Sequence, residues 1–343
     1  MDLVQVYEEV KTRIKKLDFE TLWPEFHSLE FALYDREKVA LDGEVIDWSP
    51  EFVANTSIEY KGRRLAIWNM DQEYDYDRLT SLIVHEMFHS FQHEKDEKRW
   101  AKEFDAIVNY QYNKRLLQLK KNENQLLVQL LEHFEWDKWK ELLEIRRIRK
   151  EEYPYETQYE ECIEAIEGSA QYVEFQVLKM LKPALYEENR NRLIKQLLDI
   201  NNYIPTRMIQ YACGAFMLEV CIENGLPVDL TLGNHDKIFY HQVLEEGMPY
   251  QKREIPIQPE VERYYDAIYQ GYQKQIDEAC ANGKNLITKP VRLTGLNVYN
   301  AWYYKGYVHT TFFLMYEDKE VTQLHGNYLC RLENGMLLEV YES

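Results

Sequence analysis

The sequence predicts an α+β fold: a small N-terminal sheet set among helices, then a helical part, then a small all-β unit at the C-terminus. Three observations carry this reading. Apolar residues recur at intervals of three and four over the first 27 residues and again through much of 78–223, the period of a half-buried helix. Between about 30 and 70 the apolar runs shorten and are parted by turn-prone pairs. From about residue 293 onward the pattern is again one of short strands and tight turns. At roughly 100–200 residues per domain, a chain of 343 holds two or three folded units. The reading divides it into 1–95 with the sheet and an apolar helix, a helical insertion at 96–150, a helical part at 151–285 and the β unit at 291–343.

In order, Leu3, Val6, Tyr7, Val10, Ile14 and Leu17 mark the first helix. Phe31-Ala32-Leu33-Tyr34, Phe52-Val53-Ala54 and Arg64-Leu65-Ala66-Ile67-Trp68 read as strands, parted by Asp42-Gly43, Ser49-Pro50 and Lys61-Gly62. Asp77 offers an N-cap to a helix over 78–93, and Asp71, Glu73 and Asp75 crowd its positive end. Next comes a highly charged helical hairpin, over 96–120 and 125–150, turning at Lys121-Asn122-Glu123-Asn124. Leu116, Leu119, Leu126, Leu130, Leu131 and Phe134 would form its seam. Tyr153-Pro154 breaks the pattern, a helix follows over 157–181, and two more reach the C-cap signature Asn224-Gly225. Strands are expected over 297–304, 307–316, 321–324, 327–332 and 336–341, in a meander or barrel. Their aromatic residues (Tyr299, Trp302, Tyr303, Tyr304, Tyr307, Phe312, Phe313 and Tyr316) are the expected core of that unit.

Composition excludes several classes. Forty-one basic against 59 acidic residues give a net charge of −18, which repels phosphate backbones. The one basic cluster, Arg146-Arg147-Ile148-Arg149-Lys150, lies between acidic stretches and reads as a solvated helix face, so no nucleic-acid partner is expected. The most apolar window, 208–222, is interrupted by Gln210, Gly214 and Glu219, which argues against a membrane span. The acidic N-terminus does not resemble a signal peptide, and five cysteines without Cys-x-x-Cys spacing suit reduced thiols. A cytoplasmic location is expected.

The chemistry is concentrated in Leu82-Ile83-Val84-His85-Glu86-Met87-Phe88-His89. Positions i and i+4 share one helix face, so His85 and His89 bring two imidazoles to one metal ion. Glu86, about 100° round the axis, is placed to accept a proton without being a ligand. Chance would give the pattern roughly 0.03 times in a chain of this composition, and the apolar surroundings suit a buried site. A third ligand is needed. His93 continues the series but drifts about 40° per step off the face, and reads as a surface or supporting residue. Among the acids Glu160, Glu161, Glu164, Glu167 and Glu174 of the later helix, Glu167 opens Glu167-Gly168-Ser169-Ala170-Gln171-Tyr172, where Gly168 and Ala170 would let this helix approach the first closely.

His85-Glu86-x-x-His89 with a downstream Glu-Gly-x-Ala-x-Tyr resembles the gluzincin class of zinc metallopeptidases, of the peptidase-MA-like kind. The resemblance implies a zincin-like catalytic domain, bound Zn²⁺ and Glu167 as third ligand, with Glu164 as the alternative. It also implies an oxyanion donor at Tyr211 in Tyr211-Ala212-Cys213-Gly214, with His235, Tyr240 and His241 as rivals. Gln171 stands where thermolysin-like members carry an Asp that orients a histidine.

The expected function is therefore hydrolysis of peptide bonds by a metal-activated water, with Glu86 as general base and a peptide or protein as substrate. The alternatives are an inactive zinc-binding interaction scaffold and a zinc hydrolase of a non-peptide amide. Leu65-Ala66-Ile67-Trp68-Asn69, the last strand-like run before the motif, is expected to accept substrate as an added strand. The hairpin and the C-terminal β unit are candidate surfaces for a protein partner.

Overall fold

A computed structural model describes residues 2–233, 236–240 and 253–343. It is α+β with two sheets, one near each end of the chain. Helix α1 (Leu3–Ile14) is capped by Asp2, and after the short α2 (Phe19–Leu22) the chain enters the first sheet. Its strands are β1 (Phe31–Tyr34), β2 (Lys38–Leu41), β3 (Glu44–Asp47), β4 (Thr56–Tyr60) and β5 (Arg63–Asn69), in the order β3-β2-β1-β5-β4. Only β1 and β5 are parallel. Phe52, expected on a strand, is instead buried in the connection to β4, against Tyr34 and Tyr60.

This order corrects one expectation. The run at Leu65–Asn69 belongs to β5, which pairs with β1 on one side and β4 on the other, so its backbone is already used. The edge on that side of the sheet belongs to β4, and β3 forms the other. Strand β4 lies beside helix α3 (Tyr76–Glu94), to which Ser57 Oγ is tied by a 2.7 Å hydrogen bond with Ser90 Oγ. Asp75 rather than Asp77 caps α3, accepting from the N–H groups of Asp77 and Arg78.

Helices α4 (Glu103–Asn109), α5 (Lys114–Glu132) and α6 (Trp136–Glu152) follow. The predicted turn at Lys121-Asn124 is absent: α5 runs straight through it, and the chain reverses at His133–Glu135. The reason is burial of charge. Lys120, Glu123, Arg146 and Arg149 are at most 3% exposed, facing inward rather than toward solvent, and each finds a partner. Arg149 pairs with Glu123 and with Glu160 (2.6 Å), Arg146 with Glu123 (2.8 Å) and Glu164 (2.9 Å), and Lys120 with Glu160 (3.0 Å). A charged stretch that periodicity alone assigns to a surface is thus an internal ionic layer in which each member has a partner of opposite charge, although Nε of Arg146 and of Arg149 makes no hydrogen bond.

Glu160 and Glu164 belong to α7 (Pro154–Ile163) and to the single π-turn Glu164–Gly168, which leads without a break into α8 (Ser169–Leu181). After α9 (Pro183–Leu198) comes α10 (Arg207–Glu223), ended by Gly225 at φ +64°, as the Asn-Gly signature predicts. Helix α11 (Pro259–Asn282) precedes the second sheet. That sheet is antiparallel, ordered β10-β9-β6-β12-β11-β8-β7, with β6 Val291–Leu296, β7 Trp302–Tyr304, β8 Tyr307–Thr310, β9 Phe313–Asp318, β10 Glu320–His325, β11 Tyr328–Glu333 and β12 Met336–Glu342. The run predicted over 307–316 is cut in two at Phe312, whose φ is +68°.

Its core is largely aliphatic, built on Val291, Leu296, Val308, Leu314, Leu337 and Val340, and of the aromatic residues expected there Tyr303 and Tyr316 pack against it, partly buried. Many of the aromatic side chains face the helices instead. Trp302 stacks on Tyr272 of α11 at 4.1 Å and Tyr304 meets Tyr269 edge-on at 5.0 Å, while Phe312 is exposed. Among the described residues no helix is long and apolar enough to cross a membrane.

Candidate metal centre

Helix α3 is buried nearly all round, packed on the first sheet, α1 and α8, so its His85 and His89 project into the protein interior. Both are 8% exposed. Glu167 meets them from the π-turn, its Oε2 lying 3.2 Å from His89 Nε2 and 3.7 Å from His85 Nε2. A π-turn carries one extra residue per turn, a device common at functional sites, and here Glu167 sits within it. Side chains also bond carbonyls of the turn: Ile166 C=O accepts from Gln92 Nε2 at 2.9 Å, and Ala165 C=O from Ser169 Oγ at 2.5 Å.

Each histidine has its other nitrogen turned to a neighbour. Gln92 Oε1 lies 2.7 Å from His89 Nδ1, and Gln92 in turn donates to Ser169 Oγ at 3.0 Å, tying α3 to α8. Glu174 Oε2 lies 3.3 Å from His85 Nδ1, an ion pair rather than a well-aligned hydrogen bond. The partner of His85 is therefore seven residues after Glu167, not at Gln171. Both Nε2 atoms are left facing the Glu167 carboxylate.

This donor set fits a cation. The ligand atoms of His85, His89 and Glu167 all lie within 4.8 Å of one another. Three donors about 2.1 Å from one tetrahedral ion would stand about 3.4 Å apart, between the two separations to Glu167 Oε2. The electrostatics agree, since this pocket gathers positive charge. The carboxylates of Glu167 and Glu174 outweigh burial and lift His85 to about 10. Against burial, the charges of His89, His85 and Arg207 hold Glu167 well below the usual carboxylate range. Glu86, 9% exposed and on the same helix, moves the other way because burial outweighs the pull of the two imidazoles.

The remaining predicted residues sort clearly. Tyr211, on α10, reaches the site: its hydroxyl is 3.1 Å from Arg207 Nη2, and burial followed by the Glu167 charge pushes it well above the usual phenol range, so it stays a donor. Tyr240 does not, because its hydroxyl bonds Arg146 at 2.5 Å in the ionic layer. His235 and His241 lie outside the described residues. Glu164, the alternative third ligand, does not join the two histidines: both its oxygens face Arg146 at 2.9 Å. His93 stacks on Trp100 at 4.3 Å, and burial pushes it down to about 4; the Trp100 ring is also 6.0 Å from His89.

Sequence reasoning passed over Gln92 and Arg207. Spacing held the clue in both cases: Gln92 is three residues after His89, and Arg207 four before Tyr211, each on the helix face of that neighbour. Arg207 Nη2 donates to Glu167 Oε1 at 2.9 Å, and its Nη1 pairs with Glu103. No protein-family model, curated protein or solved structure matches the chain.

Proposed function

We infer that the chain is a zinc-dependent hydrolase of peptide bonds, similar in design to the gluzincins. The observation that carries this reading is the convergence of His85, His89 and Glu167 within 4.8 Å, with the buried carboxylate of Glu86 one residue along from the first of them. A purely structural site has no use for that extra carboxylate. His85, His89 and Glu167 would hold the ion, which when bound supplies a Lewis acid for the scissile carbonyl and lowers the pKa of water.

The chain's own groups account for the rest. Glu86, kept from ionising too readily by burial, takes the proton of the attacking water and passes it to the leaving amine. Tyr211, held protonated, donates to the carbonyl oxygen as negative charge develops there. The open side of β4 offers backbone groups to an extended peptide, aligning it beside α3.

Zinc content and peptide hydrolysis, measured together on the parent and on Glu86→Gln, test the reading. A zinc-loaded parent that cleaves and a zinc-loaded variant that does not support it. Zinc bound by a parent that cleaves nothing in a broad peptide library favours the interaction scaffold.

A further inference from the structure

Glu167 divides its two oxygens between different partners. Oε2 faces the two imidazoles, at 3.2 and 3.7 Å, while Oε1 accepts a charge-assisted hydrogen bond from Arg207 Nη2 at 2.9 Å. The guanidinium making that bond is fixed from several directions and is only 10% exposed. Its Nη1 pairs with Glu103, whose other oxygen accepts from Tyr159 OH at 2.8 Å. Tyr211 OH lies 3.1 Å from Nη2. The ring of Tyr299, from the C-terminal β unit, covers the guanidinium at 5.2 Å, within cation–π range.

Two of these supports trace back to the β unit. Tyr299 belongs to it directly, and α4, which carries Glu103, also sends Ile107 into contact with the β unit's apolar core. The turn Val298–Asn300 of the β unit is thus part of the surroundings of Arg207.

A carboxylate with both oxygens free can bind a cation through both, adding a fifth donor beside the water or substrate, whereas a catalytic zinc site usually has three protein donors and one open position. We propose that Arg207, braced by Tyr299 of the C-terminal β unit, is a positioning residue that reserves Oε1 of Glu167, so that this ligand offers the metal a single oxygen. The proposal rests on the zinc reading above.

Cobalt(II) substitution reads it without reference to catalysis, because the visible absorption of a four-coordinate cobalt site is several times stronger than that of a five-coordinate one. Arg207→Gln is expected to retain metal while losing band intensity toward the five-coordinate level. Tyr299→Ala should give a partial loss, and Tyr299→Phe, which keeps the ring, the parent spectrum. Should Arg207→Gln fail to fold, because Glu103 and Glu167, both partly buried, lose the guanidinium they share, Tyr299→Ala against Tyr299→Phe decides alone. Folded Arg207→Gln and Tyr299→Ala proteins with the parent band overturn the proposal and leave the peptidase reading intact. A parent that shows the expected dependence but cleaves no peptide removes the peptidase reading and leaves the proposal standing, whereas a parent that binds no cobalt defeats both.

Discussion

Gly168 and Gly214 meet backbone to backbone: a Cβ on Gly168 would lie 2.6 Å from Gly214 Cα, and one on Gly214 2.6 Å from the Glu164 carbonyl oxygen. The π-turn that carries Glu167 is therefore clamped against α10, which carries Arg207 and Tyr211. Gly168 was expected to admit α3, and the contact it makes possible is with α10 instead. Neither position has room for a methyl group. Gly168→Ala and Gly214→Ala should each cost about 1–3 kcal/mol by overpacking, and should weaken zinc binding more than their loss of stability explains, because the third ligand moves with the turn. Urea unfolding beside zinc competition checks this; variants with lowered stability but parent zinc affinity would show that the clamp does not position Glu167.

The ligands and the base should separate cleanly. His89→Ala and Glu167→Ala are expected to lose bound zinc, while Glu86→Gln retains it and loses turnover by roughly 10²–10⁴. Tyr211→Phe, with its hydroxyl 3.1 Å from Arg207 Nη2, should cost about 10²–10³ in kcat with little change in KM. Metal analysis and steady-state kinetics on proteins of matched thermal stability provide the check. Loss of zinc from Glu86→Gln but not from Glu167→Ala would reverse the assigned roles.

The internal ionic layer makes stability depend on pH in a definite direction. Unfolded carboxylates titrate near 4.3. Despite burial, Glu123 is held well below that range by Arg146, Arg149 and Lys120, and Glu160 is lowered chiefly by Arg149 and Lys120. Glu164 moves upward, since burial outweighs its partners, and offsets part of the effect. For the two depressed groups, stabilisation is complete above the unfolded value and disappears as pH falls through the folded values. Melting temperature should therefore drop steeply below about pH 4. Glu123→Gln, which takes from Arg146 and Arg149 one of the two carboxylates that each pairs with, should cost about 3 kcal/mol at neutral pH and flatten that acid limb. An acid limb identical to the parent's would show that the titration lies elsewhere.

What the sequence showed and what it hid follow from the range of the interactions involved. The α3 motif and the α10 C-cap depend on residues within a few positions of one another, and local spacing disclosed them. The ionic layer did not, because Arg146 and Arg149 look like any solvated basic run until Glu123, Glu160 and Glu164 are brought to them from other elements. Strand order was hidden for the same reason. Nothing local in Leu65–Asn69 says that β1, some 30 residues earlier, pairs with it in parallel and leaves an open edge to β4.

That open edge yields the last prediction. β4 and β5 are joined by Lys61-Gly62, both at positive φ (+49° and +78°), the two-residue hairpin turn in which the flanking pair, Tyr60 and Arg63, is hydrogen-bonded. Bonded and non-bonded pairs alternate along an antiparallel ladder. Tyr60 and Ile58 therefore bond inward to β5, and the backbone groups of Ser57 and Glu59 point outward to the free side. Glu59 is exposed, and proline is tolerated on an edge strand where the lost N–H is not part of the ladder. Glu59→Pro should consequently keep the fold and its zinc, yet raise KM for extended peptides by about tenfold, the equivalent of one lost hydrogen bond of about 1.4 kcal/mol. Single-residue amide substrates, too short to pair with β4, should be indifferent to the change. If Glu59→Pro leaves KM for long peptides at the parent value while its melting temperature is preserved, substrate does not bind by strand addition at β4.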